Sequence, residues 1–367
     1  MTYKNDSRIV MTLDAGGTNF VFNAVQAESE ILEPIILPAR AETLEKVLLT
    51  LTEGFSMVKS RLSEKPVAIS FAFPGPADYE TGIIGDLQNL PLFRGGVALG
   101  PMLAEKFFIP VFINNDGDLF AYGEAISGLL PEINKKLGEA GNPKRFRNLF
   151  GVTFGTGFGG GIVSREELFF GDNSSGGEIN RIRNRTFRNF DVEESVSIRG
   201  LKREFSNYAG LNTGSCPEPR EIYEIGIGQK KGNKEAALKA FEAFAVNAAD
   251  ALANAITLLD GLVVIGGGLS GAYPLFLPKL VEEMNHPFET ISGHALARME
   301  ITAYNLEDQN QFEAFLRPSL LEIQVPFSKN KVQYDPNKKM GIGVSRLGTS
   351  RAVSIGAYAY ALHRLDK

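Results

Sequence analysis

The sequence predicts an α/β protein of two domains. Apolar runs of strand length, at 8–14 and 67–73, flank a pattern of apolar residues at helical spacing from Leu44 to Val58. Such alternation is typical of a sheet with helices packed on it. Because 367 residues exceed what one hydrophobic core usually holds, two domains are expected.

Composition and charge narrow the functional classes. A hydrophobic content of 44% with 22% charged residues is that of an ordinary globular protein. A net charge of −5 argues against a non-specific partner such as nucleic acid or a membrane surface. No apolar run approaches the roughly 18 residues needed to span a bilayer. The single cysteine, Cys216, excludes an internal disulfide, and the N-terminus lacks a signal-peptide pattern, so a cytoplasmic protein is expected.

The first apolar run ends in Asp14 and continues into a glycine turn and a second apolar stretch. A carboxylate at a strand end can hold Mg²⁺ through water. The amides of Gly16 and Gly17 and the hydroxyl of Thr18 can face a phosphate. A plain β-hairpin with the same turn residues fits this pattern equally well.

Further candidate residues follow the next two predicted strands or lie in the loop between them. The run at 67–73 ends beside Gly75, and the loop at 81–96 contains Asn89, which on its own is an ordinary turn residue. A short strand at 109–113 leads to Asn115 and Asp116, followed by a helical pattern. A carboxylate at the end of a strand is well placed to act as a general base, although helix capping is the alternative, for which Asp118 is the better placed.

The stretch from 149 to 163 contains the densest glycine turn of the chain. Gly155, Thr156 and Gly157 follow an apolar run, and five glycines within seven residues predict positive φ angles and close approach to an anion. The spacing also matches the dinucleotide fingerprint, but a strand and turn follow it where that fingerprint requires a helix. A glycine-rich hairpin without a ligand is the plainer alternative.

The rest of the chain contains a polar stretch, an arginine-rich run, two predicted helices and a third glycine turn. The polar stretch at 131–148 reads as a surface insertion, and an arginine-rich run begins at Arg181. A long helix is predicted at 235–259 and a small-residue helix at 354–365. Between them a strand at 262–265 leads into a third glycine turn at 266–268, against which a flat ligand can lie.

The ordered set of motifs DAGGTN, NNDGD, GTGFGGG and IGGGLS resembles the superfamily of actin, sugar kinases and heat-shock ATPases. Within it the chain resembles the ROK family (repressor, open reading frame, kinase), and the resemblance covers essentially the whole sequence. It implies a two-domain, actin-like (ribonuclease H-like) fold with an interdomain cleft. The smaller domain would comprise residues 1–115 and about 350–367, and the larger one residues 116–349.

The resemblance also implies roles for individual residues. Asp116 would be the catalytic base, and Asp14 would hold Mg²⁺ through water. The phosphate and adenosine motifs would bind ATP through Asp14, Gly16, Gly17, Thr18, Gly155, Thr156, Gly157, Gly266, Gly267 and Gly268. The sugar would contact Gly75, Asn89, Asn115, Asp116, Glu178 and Glu193.

The chain departs from the family pattern in two places. Arg181 stands where many relatives carry the histidine of a Glu-x-Gly-His segment. The cysteine cluster that holds a structural zinc in relatives is missing, so no zinc is expected and the loop must be held by packing or by polar contacts, with the arginines as candidates.

The function implied is that of an ATP-dependent hexose kinase acting on the 6-hydroxyl of glucose, a related hexose or an N-acetylhexosamine. A sugar-binding or sugar-sensing protein without catalysis is the alternative. DNA binding is not expected, since the first phosphate motif begins at residue 14 and leaves no room for a helix-turn-helix. A chaperone-like ATPase suits the Asn115-Asp116 pair less well. Relatives commonly form homodimers.

Overall fold

A computed structural model describes residues 3–16, 18–75, 77–85 and 91–367. Gly17 and Asn89, two of the predicted site residues, lie outside the described residues. The strands within the described part are β1 (Val10–Ala15), β2 (Asn19–Gln26), β3 (Ser29–Glu30), β4 (Ile35–Pro38), β5 (Ala68–Ala72), β6 (Ala77–Asp78), β7 (Ile83–Ile84), β8 (Val111–Asn114), β9 (Asn148–Phe154), β10 (Phe158–Ser164), β11 (Glu167–Phe169), β12 (Leu262–Gly266), β13 (Phe288–Glu289), β14 (Ala295–Leu296), β15 (Thr302–Asn305), β16 (Leu321–Gln324), β17 (Lys331–Tyr334) and β18 (Lys339–Val344).

The helices alternate with these strands, as the sequence predicts. They are α1 (Leu44–Arg61), α2 (Leu99–Phe107), α3 (Asp116–Ser127), α4 (Leu129–Glu139), α5 (Ile198–Ala209), α6 (Pro219–Gly226), α7 (Lys234–Leu259), α8 (Tyr273–Asn285), α9 (Gln309–Leu316) and α10 (Thr349–Leu365). Helices α1, α7 and α10 confirm the helices predicted from apolar spacing. No helix in the described ranges combines the length and the apolar character needed to cross a membrane.

The chain divides into two compact units. The first contains residues up to 128, 161–177 and 346–367, and the second contains 129–160 and 178–345. The domain boundaries expected from the sequence lie after residues 115 and 349 and stay a prediction. The compact units divide at other positions.

The first unit is built on a sheet with the strand order β3-β2-β1-β5-β8, to which β4 adds by pairing with β2. Strands β1, β5 and β8 run parallel, so their carboxyl ends share one edge. Helices α1 and α2 cover one face, where Phe55 packs on Phe71 and Phe107. Helix α10 packs against strands of the same sheet and against α3.

Helices α3 and α10 pack in very close contact because glycine stands at both crossing points. A Cβ at Gly123 would lie 2.0 Å from the carbonyl oxygen of Ala352, and one at Gly356 would lie 1.9 Å from that of Leu119. No side chain fits at either position. This crossing fixes α3, which begins with Asp116.

The second unit contains the parallel strands β9, β12, β18 and β15, in that order. Rings of Phe154, Phe244 and Phe276 pack between strand β9 and helices α7 and α8. Strand β10 begins in this unit and ends in the first, where it forms the predicted hairpin with β11.

The prediction of a surface insertion at 131–148 was wrong. Helix α4 occupies Leu129–Glu139 and buries Leu130, Ile133 and Leu137, while its lysines face outwards. The polar composition concealed an amphipathic helix with one apolar stripe.

Candidate active site

The predicted residues of the first unit meet at the carboxyl edge of its parallel strands. Asp14 lies at the end of β1, and Asn115 and Asp116 directly follow β8. The side chains of Asp14 and Asp116 both reach solvent. Their negative charges interact, so the two carboxylates belong to one electrostatic site.

Helix capping fixes the start of α3. The Asn115 side chain is the N-cap and accepts a hydrogen bond from the Gly117 backbone N–H at 2.8 Å. Asp116 Oδ1 accepts from the same N–H at 2.9 Å. The expectation that Asp118 caps this helix was therefore wrong, because the cap lies three residues earlier. Asp116 is the first residue of α3.

The pKa of Asp116 is raised above its usual value of 3.8. Burial is the main cause: although solvent reaches the side chain, protein atoms crowd around it and disfavour the charged form. The Asp14 charge acts in the same direction, while the hydrogen bond from Gly117 opposes it. A carboxylate of raised pKa binds a proton more readily, as a general base must.

Three more predicted residues line this edge. Gly16 lies in the β1–β2 turn, where a Cβ would lie 3.0 Å from the Asn19 carbonyl oxygen. The carbonyl oxygen of Thr18 accepts the Ala39 N–H at 2.9 Å, while its side chain is exposed. Gly75 follows β5, and a Cβ there would lie 2.8 Å from the Tyr79 hydroxyl oxygen.

The second unit brings two glycine turns together at the carboxyl edge of β9 and β12. The turn at 155–157 is closed by a hydrogen bond of 3.0 Å from the Gly155 N–H to the Gly157 carbonyl. A Cβ on Gly155 would lie 3.9 Å from the Gly268 nitrogen, so the turns at 155–157 and 266–268 are neighbours. Thr156, at the tip of its turn, is exposed.

In the stretch 155–161, close packing rather than positive φ explains the glycines at 157, 159 and 161, contrary to the expectation from sequence. None of them has a left-handed φ, although all seven residues of this stretch are described. A Cβ on Gly157 would lie 2.6 Å from Glu193 Oε2, and one on Gly161 would lie 2.4 Å from the Gly117 carbonyl oxygen.

The third glycine turn does need an unusual backbone. Gly267 has a φ of 85°. A Cβ there would lie 2.3 Å from the Phe154 carbonyl oxygen, which also accepts the Leu269 N–H at 2.9 Å. The turn is thereby bound to the end of β9. Gly266 belongs to β12, and Gly268 has open space on its Cβ side.

Glu193 lies against the glycine turn at 155–157, within the second unit. Its Oε2 accepts the Phe158 backbone N–H at 2.9 Å, and its Oε1 forms an ion pair with Arg199 Nη2 at 3.0 Å. Glu178, the other predicted sugar contact of this unit, precedes a short 3-10 turn and has an exposed side chain.

Asn184 holds the loop that is expected from the sequence to be held without zinc. Its side chain is 1% exposed. The amide nitrogen donates to the Asp191 carbonyl at 3.0 Å and to Ser195 Oγ at 2.8 Å. The amide oxygen accepts the N–H groups of Thr186 at 3.0 Å and Phe187 at 2.9 Å. We call residues 182–192 the Asn184 loop.

A second asparagine ties the Asn184 loop to the core of its unit. Thr186 Oγ1 donates to Asn247 Oδ1 at 3.0 Å, and Asn247 lies on α7 with 3% exposure. The loop also closes on itself through the Val192 N–H, which donates to the Ile182 carbonyl at 2.7 Å. Sequence reasoning missed both asparagines, because it considered only the arginines as polar contacts for this loop and assigned the segment that contains Asn247 only as a long helix.

Among the described residues, no group of three or more His, Cys, Asp or Glu side chains is placed to hold a metal ion. Asp14 and Asp116 nevertheless fit Mg²⁺, which proteins often hold with one or two carboxylates while it keeps water and substrate phosphates as its other ligands.

Comparison with known proteins decides the family. The model of the ROK family matches residues 10–311. This chain belongs to the ROK family. The resemblance seen in the motifs and the α/β fold class are thereby confirmed, and solved structures of similar fold include a ROK hexokinase of Thermus thermophilus, with a TM-score of 0.66. The fold is that of the actin-like ATPases.

Several ROK relatives resemble the chain closely or over most of its length. The crystal structure of a glucokinase from Parabacteroides distasonis is 54% identical, covers 99% of both chains and has a TM-score of 0.91. A glucokinase of Thermotoga maritima is 26% identical over 74% of this chain and 86% of its own. An N-acetyl-D-glucosamine kinase of Vibrio cholerae is 26% identical over 73% of this chain and 87% of its own.

Proposed function

We propose that this chain is an ATP-dependent hexose kinase that phosphorylates the 6-hydroxyl of glucose, a related hexose or an N-acetylhexosamine. The observation that carries the proposal is the carboxylate of Asp116, of raised pKa, at the carboxyl edge of a parallel sheet beside Asp14. The likeness to proteins named glucokinase and N-acetyl-D-glucosamine kinase supports it.

In this mechanism Asp116 takes the proton of the sugar 6-hydroxyl. The hydroxyl oxygen forms a bond to the γ-phosphorus of ATP as the bond from that phosphorus to the β,γ-bridging oxygen breaks, leaving ADP and the sugar phosphate. The hydrogen bond from the Gly117 N–H orients the carboxylate that takes this proton. Catalysis in phosphoryl transfer rests mainly on positioning and electrostatics.

The other predicted residues bind the substrates in this proposal. The sugar hydroxyls are bound by carboxylate and amide groups, which offer directional hydrogen bonds. The residues that contact the sugar are Glu178, Glu193, Asn115, Gly75 and Asn89. The turns at 16–18, 155–157 and 266–268 bind ATP. Asp14 would hold Mg²⁺ through water, and the ion, when bound, would offset the charge of the phosphates.

The test is a coupled assay of ADP release with Mg-ATP over a panel of hexoses and N-acetylhexosamines. Wild type is compared with Asp116→Asn, which keeps the size and the Gly117 contact but removes the base. We expect turnover of one sugar or a small group of sugars, and a loss of at least roughly 100-fold in kcat for the variant. Asp260→Asn is the matched control, because it removes a carboxylate by the same change at an exposed position at the end of helix α7.

The outcomes separate the two functions. Turnover that survives in Asp116→Asn would refute Asp116 as the base. Sugar binding without turnover by wild type, measured by calorimetry, would favour the alternative of a sugar-binding protein.

We further propose that the protein is cytoplasmic, forms a homodimer and does not bind nucleic acid. Its smaller domain would comprise residues 1–115 and about 350–367, and its larger domain residues 116–349. The net charge of −5 and the single cysteine support the location and the lack of a nucleic-acid partner. The homodimer is a family expectation. Light scattering coupled to gel filtration measures the dimer directly, and a monomeric mass at micromolar concentration would refute it.

A further inference from the structure

The carboxylate of Glu193 joins two segments that are far apart in the sequence. One oxygen holds the Phe158 N–H at the end of the glycine turn, and the other holds Arg199 on helix α5. Arg199 in turn reaches back to the turn, since its Nη1 lies 3.4 Å from the Thr156 carbonyl oxygen. The three groups therefore close a ring of hydrogen bonds within the second unit.

Two further contacts tighten this ring. The Ile198 N–H, at the start of α5, donates to the Gly155 carbonyl at 2.8 Å. Ser197 Oγ donates to the Glu193 carbonyl at 2.7 Å. The glycine turn, the Glu193 segment and the first residues of α5 are thus hydrogen-bonded to one another, and a displacement of one segment moves the others.

We propose that Arg199 is a positioning residue that couples the binding of sugar and of nucleotide. The inference rests on the proposed function, in which Glu193 engages the sugar and the turn at 155–157 engages the phosphates of ATP. Arg199 contacts both groups without being the base or a member of the glycine turns. It acts through Glu193, whose carboxylate it orients.

The chemistry of arginine suits this role. The planar guanidinium presents several N–H donors in fixed directions, so one side chain can hold Glu193, Glu194 and the Thr156 carbonyl at once. Without it, Glu193 keeps the single N–H of Phe158 for orientation. A sugar hydroxyl that donates to Glu193 then meets a carboxylate free to rotate, and the turn loses its link to that carboxylate.

Coupling of this kind is reciprocal. If sugar binding orders Glu193 and thereby the turn, ATP binds more tightly when sugar is present, and sugar binds more tightly by the same factor when ATP is present. The ion pair is partly exposed, with 45% of the Arg199 side chain open to solvent, so the effect should be modest. We expect losses of roughly 5- to 20-fold in affinity rather than loss of activity.

The experiment measures binding of D-glucose, N-acetyl-D-glucosamine and the unreactive ATP analogue AMPPNP by calorimetry, each alone and with the other ligand present. Wild type is compared with Arg199→Met, Arg199→Lys, Glu193→Gln and the double variant Glu193→Gln/Arg199→Met. Steady-state KM and kcat are measured with ATP for the same set. Arg220→Met is the matched control, because Arg220 also pairs with a carboxylate in this unit but is 89% exposed on helix α6.

In wild type, we expect each ligand to tighten the binding of the other. In Arg199→Met, KM rises for sugar and ATP, the mutual tightening disappears and kcat changes by less than about threefold. Arg199→Lys restores part of the affinity, and Arg199→Met has no added effect in the Glu193→Gln background, since Arg199 acts through that carboxylate.

Three results would overturn the inference. Unchanged affinities in Arg199→Met would refute a positioning role, and additive effects in the double variant would show that Arg199 does not act through Glu193. A loss of thermal stability that accounts for the change in KM, with Arg199→Lys giving no rescue, would assign Arg199 to structure alone. Absence of binding of both sugars to wild type would instead overturn the proposed function, and the coupling with it.

Discussion

Replacement of Asn184 by alanine tests whether one buried amide braces the loop between Glu178 and Glu193. The side chain makes four hydrogen bonds, to two carbonyl or hydroxyl oxygens and to two backbone N–H groups. It is almost wholly buried, so water cannot readily replace it as a partner. The alanine variant removes all four of these hydrogen bonds.

The expected loss follows from this count. A neutral hydrogen bond contributes about 1 kcal/mol net, and a buried polar group left unsatisfied costs more, so the free energy of unfolding of the second unit should fall by about 4 kcal/mol. For a unit of this size each kcal/mol lowers the Tm by about 3 °C, which gives a decrease of about 12 °C.

Scanning calorimetry measures the Tm, and hydrogen exchange followed by mass spectrometry shows whether protection is lost over residues 182–192 first. Asn207→Ala is the matched control, because Asn207 is an exposed asparagine on α5 of the same unit. A change there should stay within about 0.5 kcal/mol. A decrease in Tm below about 2 °C for Asn184→Ala, or unchanged protection of the loop, would show that packing rather than the amide holds it.

Two further predictions concern the first unit. Because folding raises the pKa of Asp116 above 3.8, the folded protein holds a proton at pH values where the unfolded chain has lost it, and Asp116 lowers stability above its folded pKa. Asp116→Asn should therefore have a higher Tm than wild type at pH 8, and the difference in Tm should shrink as the pH falls through the folded pKa of Asp116. A lower Tm for the variant at pH 8 would contradict this reasoning. Gly356→Ala should lower the free energy of unfolding by at least about 2 kcal/mol, because its Cβ would lie 1.9 Å from the Leu119 carbonyl oxygen. The control is Gly271→Ala, whose Cβ would have nothing within 4 Å and which should be neutral or slightly stabilising. A urea titration measures both variants.

The placement of Asp14 and Asp116 could be predicted from the sequence because it depends on local signals. An apolar run that ends in a polar residue predicts a strand end, and parallel strands bring their carboxyl ends to one edge. The pairings of β1 with β5 and of β5 with β8 confirm this reasoning for the first unit. The sequence also predicted the hairpin that separates this fold from a dinucleotide-binding one.

The structural need for glycine at each of these positions could not be predicted, because it arises from contacts between segments that are distant in the sequence. Gly157 leaves room for Glu193, and Gly161 leaves room for the start of α3. Local sequence offers only the general property of glycine, which is freedom in φ, and that property explains Gly267 but not the other two. A period of apolar residues at 129, 130, 133 and 137 could have revealed helix α4.

The Asn184 loop shows why a buried uncharged side chain makes most of the bracing contacts, while among the arginines beside it Arg185 adds one ion pair, at 3.1 Å to Glu283 of α8. A buried arginine needs a carboxylate and full hydrogen bonding to offset its desolvation. Arg181 has instead a single carboxylate at 4.0 Å and is 77% exposed, which contributes little to stability. An asparagine amide carries two donors and an acceptor on a short side chain and brings no charge into the interior. It can therefore join backbone and hydroxyl groups on both sides of a tight loop, as Asn184 does, and leave the arginines at the surface.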